Sequence, residues 1–314
     1  MLRNISILLL TFMLLFSFGC IGEQQQADEG KMKVAVTISP QAELVEKIGG
    51  DKVDVIVMVP PGANPHSHEP TPSQLIEISN SRLYFKVGSG VEFENAWMDD
   101  IEGVNPSMKT VDCSEGITLI QMEEHEHEHE EHDEHAHEEE EHEEEHEEEH
   151  SHTGLDPHIW NSPKNAKIMV QNIYEALAEE DPANAAYYEA NMNSYIAELD
   201  ELDSGIEQTL AGKTNRKFIV FHPAWGYLAH DYGLEQIAIE EAGKEPTAQN
   251  LQYIIDEANE NDIKVIFASP QFSTSSAETV AQEINGTVIL INPLDRNYLE
   301  NMQKVADALA DSMN

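Results

Sequence analysis

Short apolar, β-branched runs alternate along this chain with stretches of helical period. The runs "KVAVTIS" (33–39), "VDVIVMV" (53–59), "RLYFKVG" (82–88) and "KTVDC" (109–113) read as strands. Between them, "PQAELVEKIG" and "TPSQLIEISN" read as helices, each opening on Pro or a capping residue. Strand and helix in alternation predict a mostly parallel sheet. The pattern restarts with "KFIVFH" (217–222), "LEQIAIE" (234–240), "IKVIFAS" (263–269) and "TVILIN" (287–292), again separated by helices, which predicts a second α/β lobe. In the last helix Tyr298, Leu299, Met302, Val305, Ala306 and Leu309 form one stripe.

Between the two halves, Tyr188, Met192, Tyr195, Leu199, Leu202, Ile206 and Leu210 recur at steps of four and three. One long helix over 181–212 follows, with Asp181 able to cap it, Pro182 at its first position and Gly212 at its end. At 1.5 Å per residue it would run roughly 45 Å, a strut between lobes rather than a loose hinge. The expected organisation is an N-terminal lobe over 32–180, the linking helix over 181–212 and a C-terminal lobe over 213–314.

Two segments break this pattern. The N-terminus, "MLRNISILLLTFMLLFSFGC", has one Arg and an apolar stretch from Ile5 to Phe18, short of the ~20 apolar residues of a membrane span. It reads as a signal peptide over 1–19. Gly19 before Cys20 resembles a lipoprotein processing site that would leave Cys20 lipid-bearing, although Ser17 stands where Leu is usual. Residues 20–31 are then a polar tether between anchor and lobe, and the protein sits on the outer face of the cytoplasmic membrane.

The second is residues 123–152, "EEHEHEHEEHDEHAHEEEEHEEEHEEEHSH". With almost no apolar side chain it has nothing to bury, so it is expected to be a disordered insertion in the first lobe. Its first part carries His125, His127, His129, His132, His135 and His137, close to alternation; His142, His146 and His150 recur every fourth residue, and His152 ends it. That fourfold spacing would align three imidazoles on a helix face, but the intervening glutamates repel one another, so partial ordering is expected only with zinc bound.

The run supplies 18 of the chain's 60 acidic residues, and the other 42 still outnumber 17 Lys and Arg, for a net charge of −43. Such a surface attracts cations and repels nucleic acid and anionic headgroups. Cys113 is the one cysteine besides Cys20, which rules out a Cys-rich zinc site, so a transition-metal site must be built from His and carboxylates.

Five histidines lie outside the run. His222 ends "KFIVFH", at the carboxyl end of a buried strand, where open α/β sheets bind ligands. His66 lies in the Pro/Gly-rich loop after strand 53–59, and His158 sits in "LDPHIW", between Pro and Ile-Trp and just before a capped helix. Pro-fixed backbone suits a rigid ligand, and these three, drawn from both lobes, can converge in a cleft. His68 should point away from His66, and His230 reads as a solvated helix residue.

The motifs "NPHSHEPTP", "DPHIW", "FHPAWGYLAHDYGL", "EPTAQNL" and "NPLDRNYLENM" together resemble the zinc/manganese-type solute-binding lipoproteins of ABC importers (cluster A-I), of the high-affinity zinc-uptake type. The resemblance covers nearly all of the chain after Cys20. It implies two Rossmann-like lobes joined by one long helix, a metal between the lobes, and His66, His158 and His222 as its ligands. Manganese-type members resemble it but carry Glu at the position of His222, and a third imidazole favours zinc. The fourth position departs from the pattern: where manganese-type members use an Asp before the last helix, this chain has Asn297, with Asp295 two residues earlier as a candidate.

The leading expectation is capture of Zn²⁺ as cargo by a monomer that delivers it to an ABC importer permease and its ATPase subunit. Alternatives are a manganese- or iron-type member, and a zinc buffer or adhesin worked by the His-rich run. A zinc hydrolase is the remaining class, but there is no HExxH and no Glu at fixed helical spacing from a ligand His to act as base. The run itself reads as an antenna of weak, exchangeable sites beside a three-histidine pocket whose ligands it does not supply.

Overall fold

The computed structural model describes residues 30–122, 154–240 and 244–313. The signal peptide, Cys20, most of the tether and the ten histidines of the 123–152 run lie outside the described residues. Among the described residues no helix is long and apolar enough to cross a membrane.

Each strand expected from the apolar runs is present: β1 (Met32–Val36), β2 (Val53–Val57), β3 (Leu83–Lys86) and β4 (Lys109–Asp112) in one sheet, β5 (Lys217–Val220), β6 (Glu235–Ala238), β7 (Val265–Ala268) and β8 (Thr287–Leu290) in another. The orders are β2-β1-β3-β4 and β6-β5-β7-β8, and every pairing is parallel. The helices are α1 (Ser39–Gly49), α2 (Pro72–Ile78), α3 (Glu92–Val104), α4 (Pro163–Glu180), α5 (Ala185–Leu210), α6 (Gly226–Tyr232), α7 (Ala248–Glu260), α8 (Ser275–Glu283) and α9 (Tyr298–Ser312). The first strand of each sheet lies between the second and third, so strand order reverses there and opens a crevice at the carboxyl ends.

Local chemistry sets the helix starts. Thr71 and Gln74 cap each other's backbone at α2, and the Ser162 hydroxyl accepts the Asn165 N–H before Pro163 opens α4. The linking helix buries Tyr188, Met192, Tyr195, Leu199, Leu202, Ile206 and Leu210, the same stripe that its spacing picks out. Its start differs from the expectation. Pro182–Asn184 is a 3₁₀ turn and α5 begins at Ala185, because the Asp181 carboxylate accepts from the Asn184 side chain and the Tyr188 hydroxyl, both at 2.7 Å, instead of capping the first turn. The 26-residue helix spans about 39 Å.

α5 packs on α1, α4 and α9. One apolar core therefore runs from the first sheet through α5 and α9 to Phe218 and Val220 of β5. A second, smaller core of Ile219, Phe221, Ile237, Ile254 and Ile266 fills the other face of the second sheet. Hydrogen bonds sew the seam between lobes: Trp160 Nε1 to Pro293 O at 2.7 Å and Asn161 Nδ2 to Ala224 O at 2.8 Å.

Candidate metal centre

The site is assembled from loops at the carboxyl ends of strands. His66 follows β2 and Glu92 follows β3; His222, Glu240 and Phe272 follow β5, β6 and β7. Asn64 shapes the first loop by accepting the His66 N–H on its side chain, 2.9 Å, and the His68 N–H on its carbonyl, 2.9 Å.

His66, His158 and His222 converge with their donor atoms all within 4.8 Å of one another. His222 Nε2 lies 3.2 Å from His66 Nε2 and 3.1 Å from His158 Nε2. Two ligands on one tetrahedral Zn²⁺, with bonds of about 2.0–2.1 Å, would be roughly 3.3 Å apart, so both separations from His222 fit such an ion.

A carboxylate stands behind each ring. His66 Nδ1 is 2.8 Å from Glu92 Oε2, His158 Nδ1 is 2.8 Å from Asp156 Oδ1, and His222 Nδ1 is 3.1 Å from Glu240 Oε1. At His158 and His222 the carboxylate accepts the Nδ1 proton, which fixes the tautomer and leaves Nε2 with a bare lone pair; Glu92 stands at ion-pair distance from His66 Nδ1, with its Oε2 outside hydrogen-bond geometry. The Nε2 lone pairs of His158 and His222 then face each other across 3.1 Å. A cation between these two nitrogens relieves the repulsion of their lone pairs, and the three carboxylates more than balance a divalent charge.

Burial, then the cost of placing a second positive charge beside His158 or His66, pushes the His222 imidazole down to about 4, against the pull of Glu240. Burial would raise the Glu92 carboxyl, but the pull of His66 outweighs it and holds it below the usual range. The His222 shift carries a testable sign. Between pH 6.5 and about 4 the unfolded chain protonates His222 and the folded chain does not. The stability contributed by the neutral imidazole is thus fully present above pH 6.5 and lost as pH falls toward 4, by about 3 kcal/mol in all. Urea unfolding of metal-free wild type should show this loss in excess of a His222→Gln variant; parallel pH profiles for the two would refute it.

Asp156 is held from both lobes. Its carboxylate also accepts the His158 backbone N–H at 2.9 Å, and its carbonyl accepts the Tyr227 hydroxyl of α6 at 3.1 Å. A Cβ at Gly226 would lie 2.3 Å from Asp156 Oδ2, so only glycine lets α6 approach this closely.

A cleft of about 410 Å³ leads to the donors, lined among others by Glu92, Met122, Gly154, Leu155, Pro223 and Glu240. Residues 122 and 154 flank the His-rich run and are pinned together: the Met122 N–H donates to Gly154 O at 3.1 Å, and Gln121 bridges Leu155. Met122 and Gly154, on either side of the undescribed segment, therefore lie in the cleft wall.

The other candidates fall elsewhere. The Asp295 carboxylate accepts the Asn297 N–H at 2.9 Å and does not join the converging group. The ring of His68 stacks on Phe93, and His230 is exposed on α6. Glu92, Asp156 and Glu240 were not expected from the sequence. Asp156 had a local signal, two residues before His158, whereas Glu92 lay in "GSGVE", which resembles an ordinary turn.

Residues 34–312 match the family described as zinc-uptake complex component A, periplasmic. The chain belongs to this family. It is 33% identical over 321 residues to the high-affinity zinc uptake system protein ZnuA of Bacillus subtilis (strain 168), covering 96% of this chain and 94% of that protein. The zinc-binding lipoprotein AdcA of Streptococcus pneumoniae (strain ATCC BAA-255 / R6) is 28% identical over 98% of this chain, which spans 60% of AdcA. Among solved structures, a crystal structure of ZnuA superimposes with a TM-score of 0.79 at 39% identity, covering 90% of this chain and 99% of that one. The two parallel-sheet lobes are thus those of a periplasmic zinc-uptake component.

Proposed function

We propose that this chain captures Zn²⁺ outside the cytoplasm, holds it on the Nε2 atoms of His66, His158 and His222, and delivers it to the permease of an ABC importer driven by its ATPase subunit. The observation that carries this reading is the carboxylate behind every ring: three converging imidazoles, each backed by a carboxylate at Nδ1, form a nitrogen donor set suited to zinc rather than to manganese. Membership of the zinc-uptake family supports it, and the lipoprotein AdcA supports attachment through Cys20. The fourth ligand is a water or a group arriving from the cleft.

The same geometry argues against a hydrolase. Each carboxylate stands on the Nδ1 side of a ring, across the imidazole from the Nε2 donors, so none is placed to deprotonate a water bound there. It also argues against the His-rich run as the principal site, because the three donors are complete without it.

Copper binds most nitrogen sites more tightly than zinc, so affinity order does not identify the cargo, and growth does. A strain lacking the gene should fail under zinc limitation and grow normally under manganese limitation. The intact chain and a chain lacking residues 123–152 should both restore growth, and His222→Ala should not. Rescue by manganese alone would overturn the zinc reading; dependence of rescue on residues 123–152 at every zinc concentration would favour the run as the working part.

A further inference from the structure

Two aromatic side chains flank the three imidazoles. Trp160 meets His158 edge-on at 5.3 Å. The ring of Phe272 lies nearly flat on His222, centroids 4.4 Å apart and planes 27° from parallel, and leans toward His66 at 6.1 Å. Phe272 is half-buried, packs on Phe221 at 5.9 Å, and belongs to the turn after β7, whose Phe272 N–H donates to Ser269 O at 3.2 Å. Gln271, its neighbour, ties that turn to Asn292 at 2.8 Å. The ring is therefore held in place by its own loop. The cleft wall includes His66 and His222 but not Phe272, so the cleft reaches the donors from a different side.

A cation's coordination number depends on where further ligands can stand. Zn²⁺ has no geometric demand of its own and accepts four ligands, whereas Mn²⁺ suits six, several of them water or carboxylate oxygen. A water beside a phenyl ring lacks the two to four polar partners that an ordered buried water needs.

We infer that Phe272 is a specificity-determining residue: its ring closes the side of the site next to His222 and His66 to additional ligands, so that the bound ion stays four-coordinate and six-coordinate cations are rejected. This inference rests on the proposed role of the three histidines. Phe272 supplies no ligand atom and acts by denying space to water.

The test uses the intact, metal-free chain with one equivalent of Co²⁺ as an optical probe, and His222→Ala as the blank for cobalt on the His-rich run. Wild type should give the intense visible bands of tetrahedral cobalt. Phe272→Ala should give weak bands of higher coordination and lose about tenfold of the Zn²⁺ over Mn²⁺ preference, roughly 1.4 kcal/mol. Phe272→Leu, which keeps an apolar wall, should behave as wild type. Unchanged bands and an unchanged preference in Phe272→Ala would overturn the inference while leaving the zinc site standing. Failure of wild type to bind zinc tightly would instead overturn the proposed function.

Discussion

Replacing His222 with alanine is expected to weaken zinc binding by about 10²- to 10³-fold. Structural zinc sites contribute roughly 10–16 kcal/mol, and sharing this among four ligand positions gives about 2.5–4 kcal/mol for each. His222 is the ligand with most to lose. It is the central donor, 3.2 Å from His66 Nε2 and 3.1 Å from His158 Nε2, so its removal leaves two imidazoles that no longer share a neighbour. It is also buried, with 5% of its surface exposed, so an alanine leaves a void beside Glu240 that a water fills poorly on the Phe272 side. Competition against a chromophoric chelator measures the effect, with stoichiometry read separately to set aside weak sites on the His-rich run. Affinity within a few-fold of wild type would remove His222 from the ligand set.

Asp156→Ala should cost about 10- to 100-fold in zinc affinity although Asp156 itself is not a ligand. Its carboxylate accepts two hydrogen bonds from His158, one from Nδ1 and one from the backbone N–H, at 2.8 and 2.9 Å. Without it the imidazole can place its proton on Nε2, which closes the lone pair to the metal, and the ring loses its fixed plane. Asp156→Asn keeps an acceptor and loses the charge, so it should fall between wild type and alanine. A graded series of wild type, Asn and Ala in the same competition assay is the expected result. An alanine variant that binds as tightly as wild type would show that packing by Trp160 and Pro157 orients His158 unaided.

These two positions differ in how visible they are along the chain. His222 terminates an apolar run, and a strand carboxyl end is where an α/β sheet presents its ligands, so its placement follows from local pattern. Asp156 is adjacent to its histidine and could be found from the sequence. Glu92 and Glu240 could not: they lie 26 and 18 residues from His66 and His222, and nothing nearby in sequence distinguishes them from the other acids of a chain with 60. Only the parallel pairing of β2 with β1 and β1 with β3 brings the loops of His66 and Glu92 to one end of a sheet.

By itself the sequence determined what depends on near neighbours. Side-chain period settled the strands and the buried stripe of α5, and proline-flanked backbone, at strand ends for His66 and His222 and before a capped helix for His158, marked the three histidines as candidates. Tertiary structure decided what depends on distant partners. Asp181, with both Asn184 and Tyr188 in reach, gave up the cap and moved the start of α5 to Ala185. The apolar core passes through α5 and α9 instead of closing within each lobe, because those helices bury their stripes against both. The carboxylates behind the imidazoles and the Phe272 wall were settled last, since a contact across tens of residues exists only after two sheets have set which loops meet.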